Sequence, residues 1–130
     1  MRNKMIGLIS THYLKFDNYF IEDVNYCVYF ITDGYGVKIG VAASLPTRIK
    51  QLQTGNPRRL QAMYIIKAKN QTQAMSIEGE LHKEFDEKHL IGEWYDITDK
   101  EIEDKCLKLG YEIGKPVSKF DFGVDGVTAI

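Results

Sequence analysis

The segment Tyr26-Cys27-Val28-Tyr29-Phe30-Ile31-Thr32, Asp33-Gly34, Tyr35-Gly36-Val37-Lys38-Ile39-Gly40-Val41 constrains this chain most. Two runs rich in β-branched and aromatic residues flank a dipeptide that favours a tight turn, the pattern of a β-hairpin. With Asp33 and Gly34 as a two-residue loop, Thr32 pairs with Tyr35, Phe30 with Val37, Tyr29 with Lys38 and Val28 with Ile39. One face then carries Val28, Phe30, Val37 and Ile39, and the other carries Tyr29 beside Lys38. A slip of one residue would mix the faces, so the pattern itself supports this parity.

Helices follow from caps and stripes. Ser44-Leu45-Pro46-Thr47 reads as a helix start, with Leu45, Ile49 and Leu52 on one face and a stop at Thr54-Gly55-Asn56-Pro57. Leu60 to Ala68 reads as a third strand. Asn70 caps a long helix reaching Lys88, with Ala74, Ile77, Leu81 and Phe85 buried. Glu78 and His82, four residues apart, share a face beside that stripe. Gly92 to Ile97 is a short strand or extended loop. Thr98 caps a last helix that buries Ile102, Cys106 and Leu109 and stops at Gly110. Residues 1–25 have no clear period, and Tyr111 to Ile130 reads as a loosely docked tail.

At 130 residues, the length suits one compact domain, and 44% hydrophobic with 27% charged residues is ordinary for a soluble protein. No apolar run approaches the roughly 18 residues of a membrane span, and no signal peptide is legible. Cys27 and Cys106 stand far apart, which argues against a disulfide scaffold or zinc site and suits a reducing cytoplasm. The formal net charge of -1 hides an asymmetry: Lys38 to Lys69 holds seven basic residues and no acid, whereas Asn70 to Glu112 holds twelve acids and five bases. A charge run is often a solvated face; it also suits a phosphate backbone.

The order strand, turn, strand, helix, strand, helix, carrying Tyr29, Lys38, Arg48 and Glu78, resembles the GIY-YIG nuclease superfamily. Cys27-Val28-Tyr29 stands where that family has Gly-Ile-Tyr, and Lys38-Ile39-Gly40 where it has Tyr-Ile-Gly. Four further signatures resemble the phage-type branch, known from a DNA-binding domain of a phage T5 open reading frame. They are Val37-Lys38-Ile39-Gly40, Gln53-Thr54-Gly55-Asn56-Pro57, Ile77-Glu78 followed by Leu81-His82, and Gly92-Glu93-Trp94-Tyr95. The resemblance covers residues 26–98, leaving an extension over 1–25 and a helix and tail over 99–130. It implies a small α+β domain with a central, mostly antiparallel sheet flanked by helices.

The implied activity is a DNA endonuclease using Mg²⁺ (or Mn²⁺), phage or mobile-element associated. Phosphodiester hydrolysis needs a base for water, charge stabilisation on the phosphoryl group and help for the leaving oxygen. Tyr29 is the expected base, its phenol lowered by a lysine directly across the strand pair. Arg48 offers a forked donor to phosphate, and Glu78 is the metal carboxylate. His82 either orients phosphate or is a packed histidine. Lys50, Asn56, Arg58, Arg59 and Lys67 are the expected DNA contacts, with Asn56 also a candidate loop-shaping residue. Trp94 reads as core before stacking platform. The asparagine that many such enzymes carry near the end of the module has no match here. DNA is the expected partner, with a homodimer or a protein target as further options and no membrane. The rival readings are a non-catalytic DNA-binding module and a phage protein that inhibits a host defence enzyme.

Overall fold

A computed structural model of the chain describes residues 26–116; the expectations for residues 1–25 and for the tail beyond 116 lie outside them. Five strands and three α-helices follow one another: β1 (Tyr26–Thr32), β2 (Val37–Ala42), α1 (Leu45–Gln53), β3 (Gln61–Ala68), α2 (Gln71–Glu84), β4 (His89–Ile91), β5 (Trp94–Tyr95) and α3 (Asp99–Leu109). The strands form one sheet in the order β3-β1-β2-β5-β4, and each neighbouring pair is antiparallel. This is the α+β class expected from the sequence.

The central strand explains the architecture. Cys27, Val28, Tyr29, Phe30 and Ile31 are all buried, so β1 is covered on both faces and reads as a continuous apolar run. Val28, Phe30, Val37, Ile39, Tyr64 and Ile66 face α2 and α3, where Ala74, Ile77, Leu81, Phe85, Ile102 and Cys106 complete one core. Cys27, Tyr29, Ile31 and Ile65 face α1, where Leu45 is buried and Ile49, Leu52 and Trp94 pack against them. The two free cysteines therefore lie in cores on opposite sides of the sheet.

The hairpin corrects one expectation. Thr32 pairs with Val37, Ile31 with Lys38, Phe30 with Ile39 and Tyr29 with Gly40, two residues from the register expected of a two-residue loop. The loop has four residues because the Asp33 carboxylate accepts the N–H groups of both Tyr35 and Gly36, each at 2.9 Å. Thr32 Oγ1 accepts the Gly34 N–H and donates to the Gly36 carbonyl, and Gly34 takes φ 97°. A shift of two preserves side-chain parity. The faces are therefore as expected, but Lys38 does not stand opposite Tyr29.

Burial alone would raise the Asp33 pKa. The Gly36 and Tyr35 donors and the Arg58 guanidinium (3.1 Å) outweigh it and hold the carboxyl below its ordinary value. A depressed carboxylate adds stability above its unfolded pKa and loses it as pH falls through the folded one. Asp33→Ala is expected to cost about 1 kcal/mol at neutral pH. Chemical denaturation at pH 7 and below pH 4 should show the difference from wild type shrinking in acid.

The caps match the sequence reading. Ser44 accepts from Thr47 N–H, Asn70 from Gln73 N–H, and Thr98 forms a capping box with Glu101. Two ends differ. α2 stops at Glu84 and continues as a single 3₁₀ turn over Asp86–Lys88. Past Gly110 (φ 82°) the chain returns to the sheet, where Gly114 exchanges both backbone hydrogen bonds with Ile65 at 2.8 and 3.0 Å. The first residues of the tail are thus docked on the outer edge of β3.

Candidate active site

β5 is shorter than β2, pairing only with Val37 and Lys38. At Ile39 the ladder is replaced by two other partners. The Ile39 N–H donates to the Glu93 carbonyl at 3.0 Å, and His82 Nε2 donates to the Ile39 carbonyl at 3.0 Å. The turn between β4 and β5 and the second half of α2 therefore converge on this edge of β2. Gly92 takes φ 57° in that turn, a conformation other residues adopt reluctantly.

Glu78 and His82 come from α2 and Glu93 from the turn. One ring nitrogen of His82 and one carboxylate oxygen of each glutamate lie within 4.8 Å of one another, and all three residues are partly buried. Lys38 Nζ stands 3.1 Å from Glu93 Oε1 and 5.8 Å from the centre of the Trp94 ring. Burial raises the Glu78 pKa, and Glu93 pushes it the same way by charge and hydrogen bonding; His82 and Lys38 oppose them. The His82 ring also rests against Tyr95, centres 5.4 Å apart. His82 is thus packed and locally bonded, and it still belongs to the polar cluster.

Tyr29 lies on the α1 side of the sheet, where the charges of Glu93 and Glu78 still reach it. Its side chain is fully buried, and its hydroxyl has no hydrogen-bond partner among the described residues. The ring lies across Gly40, where a Cβ would overlap the hydroxyl and stand 2.5 Å from Cζ. Burial pushes the phenol up to about 12, and Glu93 and Glu78 add to the shift; the guanidinium of Arg48, from α1, opposes it by its charge and as a nearby donor. This corrects the expected activation by a lysine. Lys38 lies opposite Ile31, its ammonium is paired with Glu93, and Tyr29 is a neutral phenol in the free protein.

The expected DNA contacts are spread more widely. Lys50 is exposed on α1 and Lys67 on β3. Arg58 pairs with Asp33 and stacks on Tyr35, 4.9 Å from the ring centre. Arg59 is exposed beside it. Asn56 shapes the loop, its side chain accepting the Arg58 N–H at 3.0 Å. Gln53 fixes the same loop by donating to the Arg58 carbonyl and accepting the Leu60 N–H, both at 2.9 Å. Asp33, Tyr35, Asn56, Arg58, Leu90 and Trp94 are among the residues lining an open cavity of about 530 Å³. Trp94 is half-buried, packed on the Tyr29 side of the core and exposed to this cavity on its other side.

Sequence reasoning missed Glu93. It stood in plain view inside Gly92-Glu93-Trp94-Tyr95, but nothing in the spacing ties that turn to the edge of β2. A glycine followed by an acid between two very short strands was the available signal.

A five-stranded antiparallel sheet between helices, with a carboxylate–histidine cluster beside a buried tyrosine and an arginine, defines a small α+β domain with a polar site at one sheet edge. The family model for the T5orf172 domain matches residues 18–109, and the chain belongs to that family. These domains occur in phage and nuclease-like proteins. Neither the curated proteins nor the solved structures gave a match to the chain. Among the described residues, no helix is long and apolar enough to cross a membrane.

Proposed function

We propose that this domain is a metal-dependent DNA endonuclease of the GIY-YIG type, associated with a phage or mobile element. The observation that carries the reading is the Tyr29 hydroxyl, buried without a hydrogen-bond partner among the described residues and under the charges of Arg48, from α1, and of Glu93 and Glu78. A buried hydroxyl without a partner costs stability, and a structural tyrosine gains nothing from such a position. A hydroxyl awaiting a phosphate oxygen or a water does.

The donor set suits a divalent cation: Glu78 and Glu93 supply hard oxygens. A bound Mg²⁺ or Mn²⁺ supplies stabilisation of the leaving oxygen. Arg48, half-buried on the first turn of α1, presents a forked donor to the phosphoryl oxygens. In the free protein, burial and the Glu78 and Glu93 charges together hold the Tyr29 proton in place. Neutralising those charges removes two of the influences that hold the proton, while burial, the largest, still stands against Arg48; Tyr29 is the residue proposed as base to water. Arg58, Arg59, Lys50 and Lys67 provide positive charge for the backbone.

The test is incubation of the wild-type protein with supercoiled and single-stranded DNA in Mg²⁺, Mn²⁺ or EDTA. The expected result is strand cleavage that EDTA stops. Retardation of DNA with no cleavage in either metal would assign the domain to the non-catalytic binding class.

A further inference from the structure

We propose that Glu78, His82 and Glu93 form one three-residue site for a first-row transition-metal ion and prefer Mn²⁺ to Mg²⁺. The inference rests on the reading of Glu78 as a metal carboxylate and adds two ligands to it. Mg²⁺ keeps most of its waters and takes one or two carboxylates, with little use for an imidazole. A nitrogen donor beside two carboxylates instead suits the transition metals, which bind imidazole well.

Three observations support the site. One ring nitrogen of His82 and one carboxylate oxygen of each glutamate already lie within 4.8 Å of one another. With metal–ligand bonds of about 2.1 Å they need to close to roughly 3–4 Å, a rotamer adjustment for half-buried side chains. The Ile39 carbonyl, which can only accept, holds the His82 Nε2 proton at 3.0 Å and leaves Nδ1 as the lone-pair nitrogen. Backbone carbonyls orient metal-binding histidines in this way. Independently, the fully buried Tyr29 hydroxyl has no partner and lies within the influence of both glutamates. Without a metal, the Lys38 ammonium, 3.1 Å from Glu93, balances the paired carboxylates. It competes with the ion for Glu93.

Titration of the full chain with Mn²⁺, followed by electron paramagnetic resonance and calorimetry, tests the proposal alongside a Mg²⁺ titration. One Mn²⁺ per chain is expected, bound about tenfold or more tighter than Mg²⁺. His82→Gln should weaken Mn²⁺ binding by about 10–100-fold and remove the preference. Glu93→Gln should weaken both ions, and Lys38→Met should strengthen both. Should His82→Gln fail to fold, Glu93→Gln still decides, because it lies in a turn with its side chain 41% exposed. Equal affinity for the two ions, or unchanged Mn²⁺ binding in Glu93→Gln, overturns the proposal. If Glu78→Gln abolishes binding while His82→Gln and Glu93→Gln leave it unchanged, the three-residue site falls and the nuclease reading stands. If no ion binds the wild-type protein, both fall.

Discussion

Glu78→Gln is expected to reduce metal-dependent DNA cleavage by at least about 10²-fold, the scale on which losing one transition-state charge stabiliser is felt. The substitution keeps the shape of the side chain and removes only its charge. The fold should not suffer. Glu78 is half-buried on α2, its ionised form is disfavoured by burial, and Glu93 repels it. Removing that charge should leave stability within about 0.5 kcal/mol of wild type or slightly above it. The measurements are a plasmid nicking rate and a thermal melt on the same preparation. A fall in rate accompanied by a large fall in melting temperature would mark Glu78 as structural.

Gly40→Ala is expected to have the largest effect on stability. Gly40 is directly opposite Tyr29 in the β1–β2 ladder, and an added methyl would overlap the hydroxyl. The ring cannot swing aside, because Tyr29 is fully buried among Ile31, Leu45 and Ile65. Overpacking of this kind costs about 1–3 kcal/mol, occasionally more, and each kcal/mol lowers the melting temperature of a small domain by about 4–8 °C. Tyr29→Phe in the same chain should recover only part of the loss, since Cζ remains, 2.5 Å from the new carbon. Thermal melts of the two single variants and the double variant give the coupling. Full independence of the two changes would place the Tyr29 ring elsewhere.

Much of this architecture was legible because its signals are local. Ser44, Asn70 and Thr98 cap helices by side-chain bonds to residues three positions on. The Ala74, Ile77, Leu81 and Phe85 stripe is buried because 3.6-residue periodicity puts it on one face. The sorting of Val28, Phe30, Val37 and Ile39 from Tyr29 survives a register error, since it depends only on parity. The register itself was not legible. Asp33-Gly34 has the composition of a two-residue turn, but the carboxylate of Asp33 captures two later N–H groups and lengthens the loop to four. That shift moved Lys38 away from Tyr29 and overturned the expected activation of the phenol. β4 and β5, three and two residues long, are too short to show a period. The place of Glu93 at the site follows from their pairing with β2, a long-range contact that composition does not encode.

Under the proposed function, Tyr29 is held, at a cost to the fold, for chemistry on a phosphate. Tyr29→Phe tests it most directly, with thermal stability and metal-dependent cleavage measured on one sample. The hydroxyl is buried and unpartnered, so its removal should leave stability unchanged or raise it by up to about 1 kcal/mol. Cleavage should fall by about 10²-fold or more. A Tyr29→Phe protein that cleaves DNA at the wild-type rate would show that the hydroxyl takes no part in the chemistry.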